Sequence, residues 1–246
     1  MSYYVITPHL PKRKVGLMAI GKRYSPRLAA PLRKLGVDVL WLPDAPDTDS
    51  RLAGHADLSM IHLGADLVVT GCGDDIVKDL TNRGFRAIRT EGPGKSYPED
   101  CTLNACIVGS KLIHRLDVTS RTVLDALPYC EKINVAQGYA KCCTCVVDER
   151  SIITSDRGIA TAVSDKDIDV LLIAPGYIEL EGFDYGFIGG ASFKLSADTM
   201  AFTGRLDAHP DYHNIISFLT DRGIRPVFLT SGTAFDIGSA LPLTEV

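Results

Sequence analysis

No run of apolar residues in this 246-residue chain approaches the roughly 18 that a membrane-crossing helix needs, so no membrane partner is expected. A basic excess is missing too: 26 Lys and Arg stand against 30 Asp and Glu, a formal charge of −4. The one tight basic run, Lys12-Arg13-Lys14, is too short for a nucleic-acid footprint, so no nucleic-acid partner is expected. The opening MSYYVITPHLPKRK lacks the basic-then-apolar order of a secretory signal. A cytoplasmic address follows, where thiols stay reduced. Seven cysteines are an odd number, which argues against a complete disulfide framework. No second Cys/His cluster stands at metal-ligand spacing, so no metal site and no cofactor are expected. Neither a composition break nor a Gly/Pro-rich linker divides the chain, and residues 1–246 are read as one domain. With 46% hydrophobic and 23% charged residues, it has enough apolar side chain to bury a core of that size. Nothing in the sequence sets an oligomeric state.

What the sequence does have is a rhythm. ADLVVTGCGDDIVKDLTNRGFRAIRT (65–90) reads as strand, turn, helix, strand: a β-branched run, then glycine punctuation, then an amphipathic stretch with acids in its first turn. The same order recurs at 110–135, 150–163 and 198–230, and earliest at 14–43. In 110–135 Asp117 or Thr119 is placed to cap the helix, and in 198–230 Pro210 suits a first helical turn, with His209 and His213 beside it facing solvent. Four copies are preceded by a further short apolar run: LSMIHLG, TLNACIVG, CCTCVVDE and GGASFKLSA. The first copy lacks this leading strand, and the C-terminus has one to spare, FDIGSALPL (235–243). A ring of five units closed by the last strand accounts for both, and closure hides the sheet edges. An open α/β sheet with a β-rich tail is the alternative. GCGDD at 71–75 is a connector of the repeat, since it lacks the third glycine of a dinucleotide fingerprint and its acids would repel phosphate.

Five strand-strand-helix-strand units closed by the C-terminal strand resemble the pentein superfamily of guanidino-group-modifying enzymes, as an uncharacterised bacterial branch. The resemblance implies an α/β, five-bladed pentein-like β/α-propeller with a small-molecule ligand in its central channel. In the enzymes a cysteine attacks a guanidinium or amidine carbon, a histidine shuttles protons, and carboxylates orient the histidine and the substrate. GHADLSMIHLGADLVV supplies His55 and Asp57 where the family's Gly-His-x-Asp string stands. FDIGS puts Asp236 where the His-orienting acid belongs, with Ser239 in place of a second acid. QGYAKC supplies Cys142 as the nucleophile. The terminal strand, where the family's cysteine falls, carries Pro242 instead. Reading the roles around the ring rather than along the chain restores the order: Cys142, the Gly189 unit, Asp236, His55, then the Asn104 unit.

The implied catalytic residues are Cys142, His55 and Asp236; Asp57, Asn104, Gly189, Gly190 and Ser192 are the implied substrate-contacting ones. The unit expected to present a carboxylate to a guanidinium reads GFIGGASFKL and has no acid in place. The implied function is a cysteine-dependent hydrolase or transferase acting on an amidine, guanidine or amide carbon. The alternative is a non-catalytic pentein serving as a binding or scaffold module. From the residues alone, each candidate also has a plain reading: Cys142 as a small buried hydrophobe, His55 as the cap of its strand, Asp236 as a turn acid. If QGYAKCCTC is a strand, alternation puts Cys143 and Cys145 on one face and Cys142 on the other. A nucleophilic Cys142 needs a thiolate favoured by a neighbouring imidazolium or a helix N-terminus. EGPGKSYPED (91–100) is expected to lid one mouth, with Asp100, Cys101 and Asn104 lining it.

Overall fold

The computed structural model describes residues 2–246. Chain order sets the first unit as β1 (Tyr3–Tyr4), β2 (Val15–Gly21), α1 (Ser25–Lys34) and β3 (Asp38–Leu42). The second is α2 (Ala56–Ser59), β4 (Met60–Gly64), β5 (Leu67–Thr70), α3 (Asp74–Asn82) and β6 (Arg86–Arg89). The third is β7 (Cys106–Val108), β8 (Lys111–His114), α4 (Arg121–Ala126) and β9 (Glu131–Asn134). The fourth is α5 (Ala140–Cys143), β10 (Thr144–Asp148), β11 (Ser151–Thr154), α6 (Arg157–Ala162) and β12 (Asp169–Leu172). The fifth is β13 (Ser192–Ser196), β14 (Thr199–Phe202), α7 (Tyr212–Thr220) and β15 (Arg225–Phe228), and β16 (Leu241–Glu245) ends the chain.

Within each unit the leading strand runs antiparallel to the second, and the second parallel to the third across the helix. β16 supplies the leading strand that the first unit lacks, pairing antiparallel with β2 through Leu241↔Ala19 and Pro242↔Met18. Closure is reinforced by Glu245, whose buried carboxylate accepts hydrogen bonds from the backbone N–H of Lys12 and Arg13 at 2.7 and 2.9 Å. β1 adds one further strand outside β16. No helix among the described residues is long and apolar enough to cross a membrane.

The apolar core follows the ring. One cluster joins Leu17 and Leu241 of the first unit to Met60 and Leu80 of the second. The next joins Ile61 to Leu112, the next Ile113 to Ile152, and the next Ile153 to Phe202. The last joins Phe193 of the fifth unit to Met18 and Leu28 of the first. Each unit therefore buries one face against the unit before it and another against the unit after it. Among the described residues no unit is left without an apolar partner on either side, which is the energetic reason for a closed ring.

Candidate active site

Topology collects the connections between units at one mouth. The third strand of a unit points the same way as the second, and the next leading strand must run back. Residues 54–57, 101–104, 139–142, 189–192 and 235–239 are those connections or their ends, and they converge on the axis. Backbone hydrogen bonds stitch them together: Asp57 N–H to Gly238 O at 3.0 Å, Lys141 N–H to Asn104 O at 3.0 Å, and Gly190 N–H to Cys142 O at 2.9 Å. Ser239 N–H to Gly190 O at 3.1 Å closes the fifth unit onto the first.

Two of these connections differ from expectation. His55 precedes a single helical turn, α2, and Cys142 lies within another, α5; β4 and β10 begin only afterwards. Strand alternation therefore does not govern the cysteines. The chain turns between them, and Cys143 packs into the cluster shared with the third unit while Cys145 packs into the one shared with the fifth. Those two thiols do not share a face. Cys142 alone points to the axis.

There Cys142 Sγ donates a hydrogen bond to Asp57 Oδ2 at 2.9 Å. Asn104 holds the turn from the other side: its Oδ1 accepts from Lys141 N–H at 2.9 Å and Cys142 N–H at 3.1 Å, and its Nδ2 reaches the sulfur at 3.6 Å. His55 Nδ1 stands 4.0 Å from Asp236 Oδ1. Asp236 is fixed by accepting Gly238 N–H at 2.8 Å and Phe187 N–H at 2.9 Å. All of these side chains are buried. Two atoms in the group have no partner among the described residues, His55 Nε2 and Asp57 Oδ1. A buried polar atom left unpaired costs about 1–3 kcal/mol, and such a cost is concentrated where a ligand completes the site. A ring nitrogen of His55, a carboxylate oxygen of Asp57 and Cys142 Sγ all lie within 4.8 Å of one another, a donor set that could also take Zn²⁺.

The electrostatics of the unliganded site work against the thiolate that a nucleophilic Cys142 needs. Burial pushes the Cys142 thiol well above its ordinary range, and the charges of Asp57 and Asp236 push it further. Asp236 is itself raised, chiefly by burial, with the charge of His55 working against the shift. Without a ligand the sulfur is a thiol whose proton faces a carboxylate.

Of this group Asp236 also lines a cavity of about 420 Å³, together with Tyr24 and Phe235. The irregular segment 174–187 walls it, laid along the chain by Glu179 N–H to Ala234 O and Asp236 N–H to Glu179 O, both 2.8 Å. Arg23 is paired with Asp44 and Arg51 with Asp49. Arg27 instead lies over the Phe235 ring at 3.3 Å. Glu179, Glu181 and Asp184 complete the charged lining.

In sequence, residues 19–241 match a family described as a family of unknown function, DUF6873. The chain belongs to that family. No curated protein matches it. In structure it is similar to the inosamine-phosphate amidinotransferase of Streptomyces griseus, with a TM-score of 0.60 at 10% identity over 98% of this chain and 97% of that one. An amidinotransferase of the saxitoxin biosynthetic pathway from Microseira wollei gives 0.56 at 10% identity, over 97% and 96%. The C. jejuni agmatine deiminase with substrate bound gives 0.56 at 9% identity, over 98% and 96%. This DUF6873 protein has the pentein fold, a five-bladed α/β-propeller.

Within the DUF6873 chain, the sequence-derived candidates divide. Cys142, His55, Asp57, Asp236 and Asn104 meet on the axis. Ser192 does not join them: its hydroxyl donates to Ile188 O at 2.7 Å, lower on the axis. Gly189 and Gly190 provide space rather than contact with a ligand. A Cβ on Gly190 would lie 1.9 Å from Asp236 Oδ1, and one on Gly189 2.3 Å from Thr144 O. Asp100 and Cys101 are buried beside the site but not in it; Asp100 Oδ2 accepts the Tyr139 hydroxyl at 2.7 Å. Lys141 was missed. Its buried ammonium donates to Ser239 Oγ at 2.8 Å and to the carbonyls of Gly189 and Thr144 at 3.1 and 3.4 Å. A strand reading of AKCC gives no reason to send Lys141 and Cys142 both inward. A helical turn does.

Proposed function

We propose that this chain is a cysteine-dependent hydrolase or transferase that acts, as one domain, on an amidine, guanidine or amide carbon held in the central channel. The hydrogen bond from the Cys142 thiol to Asp57, with His55 and Asp236 behind it, carries the reading. A cationic amidinium suits the site best. Paired with Asp57 and Asp236, it offsets the two charges that hold the thiol protonated, so binding itself lowers the barrier to thiolate formation. The thiol proton passes to His55 or Asp57. The Cys142 Sγ lone pair then forms the C–S bond while the C=N electron pair moves to nitrogen, giving a tetrahedral intermediate. Its collapse breaks the bond to the leaving amine, which takes that proton back from the group that received it. Water or an acceptor amine then attacks the thio-intermediate and returns the sulfur as leaving group. Asp236 orients the imidazole, and Asn104 Nδ2 supports the sulfur's negative charge.

The test is a panel of amidines, guanidines and primary amides scored for released ammonia or amine. Turnover is expected on a cationic member, with loss of at least about 1,000-fold in Cys142→Ser, because no other thiol is placed to replace it. A panel bound but not turned over would favour a non-catalytic binding module. The clustering of His55, Asp57 and Cys142 with two unpaired atoms favours one other reading, a zinc site at the same donors. On that reading the purified protein carries one zinc per chain, and Cys142→Ser loses it.

A further inference from the structure

The opposite mouth of the ring is closed by the N-terminal segment. Val5 N–H donates to Leu243 O at 3.0 Å, Ala65 N–H to Val5 O at 2.9 Å, and Leu10 N–H to Thr7 O at 3.0 Å. This turn places His9 in a left-handed conformation, φ 66°, and presses its ring inward until the residue is 7% exposed. A non-glycine residue in that region carries a conformational cost.

His9 faces a void of about 10 Å³ whose lining includes Lys141, Ser192, Lys194, Phe193 and Pro242. Two lysines at 4% and 3% exposure flank it, and no carboxylate lines it. Lys141 has spent its N–H groups on Ser239, Gly189 and Thr144 and contributes charge. Lys194 Nζ donates to Ala197 O at 2.6 Å, which leaves two of its three N–H groups without a partner among the described residues. Ser192 already donates to Ile188. His9 Nε2 is buried with no partner among the described residues. Asp148 and Asp198 act on Lys194 from outside the void. Burial lowers Lys194 to about 8 and also lowers His9, with the charges of Lys141 and His62 adding to the latter.

We infer that this void is a binding site for one monovalent, monoatomic anion of the halide type. The void is on the scale of a single water-sized sphere, which excludes phosphate, sulfate and carboxylates. A water could enter the volume but brings no negative charge to the two lysines that flank it, and buried charge is costly unless paired. A halide takes the free N–H groups of Lys194 and the N–H of neutral His9 in its Nε2 tautomer. It links the N-terminal segment, the fourth unit through Lys141, the fifth through Lys194, and lies against the closing strand at Pro242. The site is independent of any reaction at Cys142.

The test compares thermal unfolding in sodium chloride and in sodium gluconate at equal ionic strength, together with anomalous diffraction from crystals grown in sodium bromide. In chloride the midpoint is expected to be about 3–6 °C higher, rising with chloride concentration as for any ligand that binds only the folded state. Bromide is expected to give an anomalous peak between His9 and Lys194. Lys194→Met and His9→Phe should remove the chloride dependence. Equal midpoints in the two salts, or bromide crystals of the unaltered protein with no peak in the void, overturn the inference and leave a water there.

Discussion

Chloroacetamidine is expected to alkylate Cys142 more than about tenfold faster than chloroacetamide, once each rate is divided by the same reagent's rate with free cysteine. The two reagents differ little in shape and chiefly in charge. The Cys142 sulfur donates to Asp57 and feels the charge of Asp236, and both charges hold the thiol protonated. An opposite charge brought within about 4–6 Å of an ionisable group shifts it by about 1–3 pK units, which sets the tenfold floor. Asp57→Asn removes one of the two charges. It should speed the neutral reagent by about tenfold and erase most of the preference, because each pK unit at a thiol well above neutral is a factor of ten in thiolate. The adduct is read by intact mass and peptide mapping. Equal normalised rates would remove the reason to assign Cys142 a cationic substrate. Labelling on Cys130, the one cysteine that is not buried, would do the same.

Unfolding above pH 9 is the second large effect. Cys106 is buried at the start of β7, and burial pushes its thiol from 9.0 up to about 12. Between those values the unfolded chain has released the proton and the folded one has kept it. The unfolded state binds fewer protons, so stability falls as pH rises through this window. At about pH 11 the loss from Cys106 alone is of the order of 2–3 kcal/mol. Cys72, Cys101, Cys142, Cys143 and Cys145 are raised by burial as well and act in the same direction. Lys194 acts oppositely: lowered to about 8, it adds stability as pH rises from there toward its ordinary 10.5. Urea titrations of the unaltered protein and of Cys106→Ala at about pH 8 and 11 isolate the cysteine. The difference between the two pH values should shrink by about 2–3 kcal/mol in the variant, and the packing cost of the substitution cancels. An unchanged difference would show that Cys106 ionises in the fold as easily as in the open chain.

Ring closure was legible because an orphan leading strand at 235–243 answered a missing one before residue 14, and β16 pairs with β2 accordingly. The convergence of His55, Asp57, Cys142 and Asp236 follows from that closure. The local conformations were less legible. Four-residue stretches such as AKCC and ADLS are too short for a hydrophobic period to tell strand from helix, and the single helical turns there are set by tertiary bonds from Asn104 and Gly238. The helix α4 begins after Ser120, without a side-chain cap, because the two expected caps are engaged elsewhere. Asp117 pairs with Arg115 at 3.1 Å, and Thr119 meets His114 Nδ1 at 2.7 Å. His209 is buried rather than solvent-facing, covered by Tyr177 with ring centres 5.3 Å apart. Tyr177 belongs to the segment 174–187, which has no hydrophobic period that would reveal where it lies. The same segment supplies Glu179, Glu181 and Asp184 to the outer cavity; Asp184 stands in sequence just before the unit expected to present a carboxylate, whereas Glu179 and Glu181 were invisible for the same reason.

A crystal structure of the protein after reaction with chloroacetamidine tests the assignment of Cys142 most directly. The expected map shows density continuous from Cys142 Sγ, the amidinium against the Asp57 and Asp236 carboxylates, and His55 Nε2 engaged rather than unpaired. An adduct on any other cysteine, or an amidinium turned away from both acids, would contradict it.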